Sequence, residues 1–180
     1  MMNVPNLLSL FRIILVPVIV ILLIQGAYFK ALICFGVAGI TDALDGALAR
    51  LWNQQTVLGA YLDPIADKAL IASSFITLAI FGVIPGWLTV IVISRDVIIF
   101  SGILVMSLME VDFTTKPAFV SKVTTTLQIA TVLLALLVKS LPLSLPPDWF
   151  WIVYALTALF TIVSGAVYIV RGIRAVNHVA

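Results

Sequence analysis

The sequence predicts an all-α, polytopic membrane protein with six transmembrane helices in one compact bundle, and three observations carry that expectation. Of the 180 residues, 63% are hydrophobic and only 10% charged, where a water-soluble domain carries about 25% charged residues. Ten basic and eight acidic side chains cannot form the polar shell that a soluble core of this size requires. The apolar residues also gather into six stretches, each near the roughly 20 residues that cross a bilayer. Finally, the connections are short, so residues 1–180 read as a single transmembrane domain embedded in the lipid bilayer.

The first stretch, 7–25, closes at Gln25-Gly26. Its apolar run from Ile13 to Ile24 has only Arg12 as a basic start and no small-x-small cleavage pattern, and further spans follow at once. It therefore reads as the first membrane helix rather than as a signal peptide. The second, 30–50, gives way to the polar gap Leu51-Trp52-Asn53-Gln54-Gln55, and the third, 57–82, is followed by the breaker Pro85-Gly86. The fourth, 86–109, ends at the longest polar stretch, Glu110 to Lys116. The fifth, 117–141, runs into the proline-rich segment Pro142 to Asp148, and the sixth spans 149–172.

The basic residues orient these helices. With the N-terminus in the cytoplasm, Arg12, Arg50, Lys116, Lys122, Arg171 and Arg174 all fall at cytoplasmic ends, and Lys30 and Lys139 at outer ends. Both termini and the loop between the second and third helices are then cytoplasmic. Trp87, Trp149 and Trp151 fall at the opposite interface as aromatic anchors. No basic run supplies a footprint for nucleic acid. Cys34 and His178 are each single, which excludes an internal disulfide and a zinc site of Cys and His. A metal here would be held by carboxylate oxygens, the donor set of magnesium, manganese or calcium.

Five of the eight acidic residues lie inside the apolar stretches: Asp42, Asp45, Asp63, Asp67 and Asp96. An aspartate near the middle of a membrane helix costs about 2.5–3.5 kcal/mol and marks a functional site by default. Asp42 and Asp45 stand three apart with Ala49 on the same stripe, and Asp63 and Asp67 stand four apart with Gly59 one turn earlier. Each set occupies one helix face. A short loop joins the two helices, so the faces can meet. Four converging carboxylates repel in a low-dielectric site, and divalent cations with oxygen ligands, magnesium or manganese, remove that repulsion. Gly46 and Gly59 allow close helix approach and, beside such a cluster, leave room for a planar base or a pyrophosphate.

The run Asp42-x2-Asp45-Gly46-x2-Ala49-Arg50-x8-Gly59-x3-Asp63-x3-Asp67 resembles, position for position, the signature of the CDP-alcohol phosphatidyltransferases. The opening Asn3-x-Pro5-Asn6-Leu7, the pair Asp67-Lys68, Ser94-Arg95-Asp96 and Ser121-Lys122-x2-Thr125-x2-Gln128 look like the branch that makes anionic phospholipids. The resemblance implies six membrane helices, a homodimer and an active site facing the cytoplasmic side. It implies CDP-diacylglycerol as donor, a glycerol-based alcohol as acceptor and Mg2+ or Mn2+ as cofactor. Asp42, Asp45 and Asp63 are implied as ligands of one or two ions, and Asp67 as a further ligand of the second ion and as the catalytic base. Gly46, Ala49, Arg50 and Gly59 are implied to shape and support the nucleotide site.

A phosphate-bearing acceptor needs fixed cations, and guanidinium grips phosphate through two donors. Arg95 and Lys122 are the candidates for acceptor binding. Arg12 and Lys116 are two more available cations, or else interfacial anchors whose charged ends snorkel, and Arg95 has Asp96 beside it as an alternative partner. Segments Ser94-Arg95-Asp96-Val97 and Lys116-Pro117-x-Phe119-Val120-Ser121-Lys122-Val123 resemble the CMP-releasing cardiolipin synthases, whose acceptor is phosphatidylglycerol. Phosphatidylglycerophosphate synthases, which use glycerol-3-phosphate, typically carry Arg-Glu in the fourth helix and a second arginine farther on. This chain has Arg95-Asp96 and no second arginine before Glu110. Glycerol-3-phosphate is the alternative acceptor. From another class, the alternative is an ion- or proton-coupled membrane carrier. Against it, the four signature aspartates gather near one face rather than stepping across the bilayer, and the chain shows no internal repeat of the kind carriers often have.

Overall fold

Six α-helices follow one another along the chain: α1 (Val4–Ile24), α2 (Tyr28–Trp52), α3 (Val57–Ile80), α4 (Gly86–Leu108), α5 (Phe119–Ser140) and α6 (Pro147–Asn177). The computed structural model describes the backbone of residues 4–52, 57–108, 119–141 and 147–177, and the side chains of 10–41, 64–106, 108, 119–141 and 149–174. Each apolar stretch read from the sequence has its helix. Two glycines set the sharpest ends. Gly26 and Gly82 take left-handed φ of 69° and 66°, which a residue with a Cβ adopts at a cost. At the first, the Gly26 and Ala27 amides donate to the Leu23 and Leu22 carbonyls at 3.0 and 2.9 Å. At the second, Gly82 and Val83 donate to Ala79 and Leu78 at 3.0 and 2.8 Å. Both patterns satisfy carbonyls that a helix end leaves open.

The helices present apolar surface outward as well as inward. Ile14 is 62% exposed, Val90 64% and Leu104 61%, while the buried positions include Arg12, Arg95, Thr124, Gln128, Thr161 and Ser164. This inverts the usual arrangement of a soluble protein and suits a hydrocarbon solvent, in which every buried polar group must find a protein partner. Among the described residues three stretches are long and apolar enough to cross a membrane: Gly86–Met106, Phe119–Ser140 and Trp149–Arg174. Leu10–Ile24 and Tyr28–Thr41 are shorter apolar helices. Three of the six expected crossings are thus supported among the described residues.

The chain divides into two compact units, Met1–Ile84 with Val132–Leu145, and Pro85–Thr131 with Pro146–Ala180. In the first, α1 packs on both α2 and α3. Its buried stripe is Arg12, Leu15, Ile19 and Leu23, set against Ala31, Phe35 and Ala38 of α2 and Ala66, Leu70, Ile71, Ser74 and Phe75 of α3 as the buried residues of those helices. In the second unit α4 packs on α6. Trp87 and Trp151 stack there with ring centroids 6.5 Å apart and planes 8° from parallel. The starts of α4 and α6 therefore lie at one end of this unit, as expected of aromatic anchors sharing an interface.

The early turns of α5 meet α6 through hydroxyls. Thr131 Oγ1 lies 2.8 Å from Thr157 Oγ1, Thr124 Oγ1 lies 2.9 Å from the Phe160 carbonyl, and Gln128 Nε2 donates to Thr161 Oγ1 at 3.4 Å. Interhelical hydrogen bonds of this kind contribute on average about 0.6 kcal/mol in a membrane protein. Replacing Thr131 by the isosteric valine is expected to destabilise the protein by about 0.5–1.5 kcal/mol. Thr131→Val and Thr157→Val together should cost little more than either alone. Thermal unfolding in detergent micelles checks both.

Candidate active site

Helix α2 carries Asp42, Asp45, Gly46, Ala49 and Arg50, and helix α3 carries Gly59, Asp63 and Asp67. Both segments are helical throughout, so the i, i+3 and i, i+4 intervals count as helix-face intervals. The side chains of Asp42, Asp45, Gly46, Ala49, Arg50, Gly59 and Asp63 lie outside the described residues. Asp67 is the member of the signature whose surroundings are described. Among the described residues no group of three or more carboxylates, histidines or cysteines gathers. The donor chemistry of the signature is oxygen-only, and that fits a hard divalent ion. Between the two α3 aspartates stands Pro64, inside the helix. It has no amide hydrogen and so breaks the backbone ladder at the level of the site.

Asp67 is held from another helix. Arg12 Nη1 of α1 donates to Asp67 Oδ1 as a hydrogen-bonded ion pair. The Arg12 side chain is fully buried, whereas 38% of the Asp67 side chain is exposed. Of the two readings of Arg12, the interfacial anchor whose charged end snorkels does not fit this burial. The cause is its register: Arg12 shares the inward stripe of Leu15, Ile19 and Leu23, which turns it into the protein rather than up to the headgroups. The signal was present in the sequence, since a charge on the apolar stripe of a membrane helix requires a partner.

The second unit holds another buried charge. Arg95 of α4 is 4% exposed, and its Nη1 donates to Asp96 Oδ1 at 2.7 Å. Its Nη2 donates to Ser121 Oγ of α5 at 2.6 Å and to Ser164 Oγ of α6 at 2.9 Å. One guanidinium thus ties three helices. Arg95 Nε is buried without a hydrogen-bond partner among the described residues. Arg95 also lines a groove between α4 and α6 with Val90, Ser94, Ile98, Ile162 and Gly165. A Cβ on Gly165 would stand 3.6 Å from Arg95 Cγ, an ordinary contact. Lys122 follows Ser121 in α5 but is exposed. The sequence reading missed Ser164. It was legible as part of the polar stripe Thr157, Thr161 and Ser164 along an otherwise apolar helix.

The chain matches the family model described as CDP-alcohol phosphatidyltransferase over residues 2–163. It is 34% identical to a probable phosphatidylglycerophosphate synthase of Mycobacterium tuberculosis (strain CDC 1551 / Oshkosh), across 98% of this chain and 85% of the relative. It is 39% identical to the cardiolipin synthase (CMP-forming) of Rattus norvegicus, across 72% of this chain and 48% of that protein. A third relative is the CDP-diacylglycerol–glycerol-3-phosphate 3-phosphatidyltransferase of Escherichia coli (strain K12), 48% identical across 41% of this chain and 42% of the relative.

Breaking a buried ion pair from one side costs about 3–5 kcal/mol, because the remaining charge stays unpaired. Arg95→Leu is expected to destabilise the protein by that amount, and Ser164→Ala by about 1–2 kcal/mol. Equal, small losses in chemical unfolding would show that the guanidinium does not tie the helices.

Proposed function

The chain belongs to the CDP-alcohol phosphatidyltransferase family, and from that premise we propose that it transfers the phosphatidyl group of CDP-diacylglycerol to phosphatidylglycerol, releasing CMP. The observation that carries the reaction is the complete signature lying within the residues that match the family. An enzyme of this family needs no transport path, so the carrier reading has no further support.

In the proposed mechanism Asp42, Asp45 and Asp63 hold one or two Mg2+ or Mn2+ ions, with Asp67 sharing the second. Such ions, when bound, act as Lewis acids on the pyrophosphate and neutralise charge on the departing CMP. Gly46 and Gly59, lacking side chains, leave space for the nucleotide and pyrophosphate. Ala49 shapes the same pocket, and Arg50 supports the nucleotide phosphate. Asp67 accepts the proton of the acceptor hydroxyl as that oxygen attacks the phosphorus bearing diacylglycerol. The bond from this phosphorus to the CMP oxygen breaks, and the products are a phosphodiester lipid and CMP.

Arg95 and Lys122 are assigned to the acceptor phosphate. Arg95 keeps the buried Nε donor for this role, although Asp96 already offsets its charge. A guanidinium neutralised in this way suits the singly charged phosphodiester of phosphatidylglycerol better than a dianionic phosphate monoester, and the likeness to the rat protein points the same way. The likeness across nearly the whole chain to the mycobacterial protein favours a second reading, in which glycerol-3-phosphate is the acceptor. The proposal includes six crossings and a homodimer, in keeping with the family, and both termini and the active site on the cytoplasmic side, supported by the placement of the basic residues.

One assay separates the acceptors. The purified protein, given CDP-diacylglycerol and Mg2+ or Mn2+, receives phosphatidylglycerol, glycerol-3-phosphate, serine or inositol phosphate in turn. Cardiolipin formed with CMP supports the first reading and phosphatidylglycerophosphate the second; CMP from none of them would remove both.

Single replacements test the roles. Asp67→Asn should lower turnover by at least about 100-fold with CDP-lipid binding retained, and Asp42→Asn or Asp63→Asn should weaken metal binding itself. Lys122→Ala should raise KM for the acceptor more than KM for the donor. An equal rise in both would reassign Lys122.

A further inference from the structure

The signature accounts for Asp67 but not for the residue that grips it. Arg12 lies on a different helix, well outside the signature, and is fully buried, while the carboxylate it binds remains 38% exposed. The guanidinium side of the pair is enclosed by the protein, and the carboxylate side opens outward. Helices α1 and α3 pack on each other, with Leu15, Ile19 and Leu23 continuing the buried stripe above Arg12. Ala66 and Leu70, which flank Asp67 in α3, are also buried. A planar guanidinium anchored in this way fixes the direction of a carboxylate more firmly than a flexible ammonium can.

We infer that Arg12 is a positioning residue for the transfer step: from α1 it sets the orientation of the Asp67 carboxylate that receives the acceptor proton. The inference rests on the reading of Asp67 as the base. A proton acceptor must stand within hydrogen-bond reach of the attacking hydroxyl, and a displacement of about 1 Å can cost about 100-fold in rate. An ion pair that merely fastened α1 to α3 would need no open side on the carboxylate. A base would.

The test is a double-mutant cycle on the full-length protein in lipid–detergent micelles. It reads CMP release from CDP-diacylglycerol at saturating acceptor and follows thermal unfolding in parallel. Arg12→Gln is expected to lower kcat about 10- to 100-fold while KM for CDP-diacylglycerol moves less than about two-fold. Arg12→Lys should recover part of the loss. In an Asp67→Asn background the same Arg12→Gln change should alter the residual rate by less than about two-fold, because a residue acting through Asp67 has nothing left to act on. Wild-type kcat in Arg12→Gln would overturn the inference, and so would a loss that persists undiminished in the Asp67→Asn background. Should Arg12→Gln fail to fold, the same cycle run with Arg12→Lys decides by the same criterion. If Asp67→Asn itself keeps normal turnover, the base assignment falls and this inference with it. An inactive Asp67→Asn with an undiminished Arg12 effect defeats the inference alone.

Discussion

Hydrocarbon offers no partner to a charge, so each ionised side chain carried into these helices must bring its own. Leaving one buried charge without its counter-charge costs several kcal/mol, more than most single contacts in the molecule return. The two buried arginines meet this constraint differently. Arg12 reaches across from α1 to Asp67 on α3, whereas Arg95 takes its nearest neighbour in sequence, Asp96, and then two serines on other helices. In each unit the arginine has become a point around which helices are arranged. The outward faces, by contrast, are Ile, Val and Leu, which can associate with lipid without any specific geometry.

The two arginines also differ in what they leave available. Arg12 is enclosed and its carboxylate partner is partly open. In the other pair Arg95 and Asp96 are both buried, and the Arg95 guanidinium lines a groove between α4 and α6. One pair leaves a carboxylate partly exposed and the other a cationic donor along a groove. A phosphatidyl transfer needs both kinds of surface, a carboxylate to take a proton and a cation to hold an acceptor phosphate.

Much of this was legible without coordinates. All six helices were, because apolar stretches near 20 residues and breakers such as Gln25-Gly26 and Pro85-Gly86 act locally. The family was legible because the residues of the signature stand at fixed intervals in α2 and α3. For Arg12 the sequence left two readings open, an acceptor cation or an interfacial anchor, because its partner depends on which face of α1 meets α3. Ser164 belongs to the polar stripe of α6, but its partner Arg95 lies 69 positions away in sequence, so the stripe alone did not name it. Local pattern predicts elements, whereas tertiary register selects partners.

The hydroxyl seam of α5 and α6 bears on how the protein is made. Thr124 Oγ1 stands 2.8 Å from the Val120 carbonyl of its own helix as well as near α6, and Thr131 donates to the Leu127 carbonyl at 2.8 Å. Thr161 likewise donates to the Thr157 carbonyl at 2.6 Å. Each hydroxyl therefore has an internal acceptor before its neighbouring helix arrives. These three threonines carry their own acceptor into the bilayer, so within the seam it is Gln128, whose Nε2 donates to Thr161, that depends on α5 and α6 coming together.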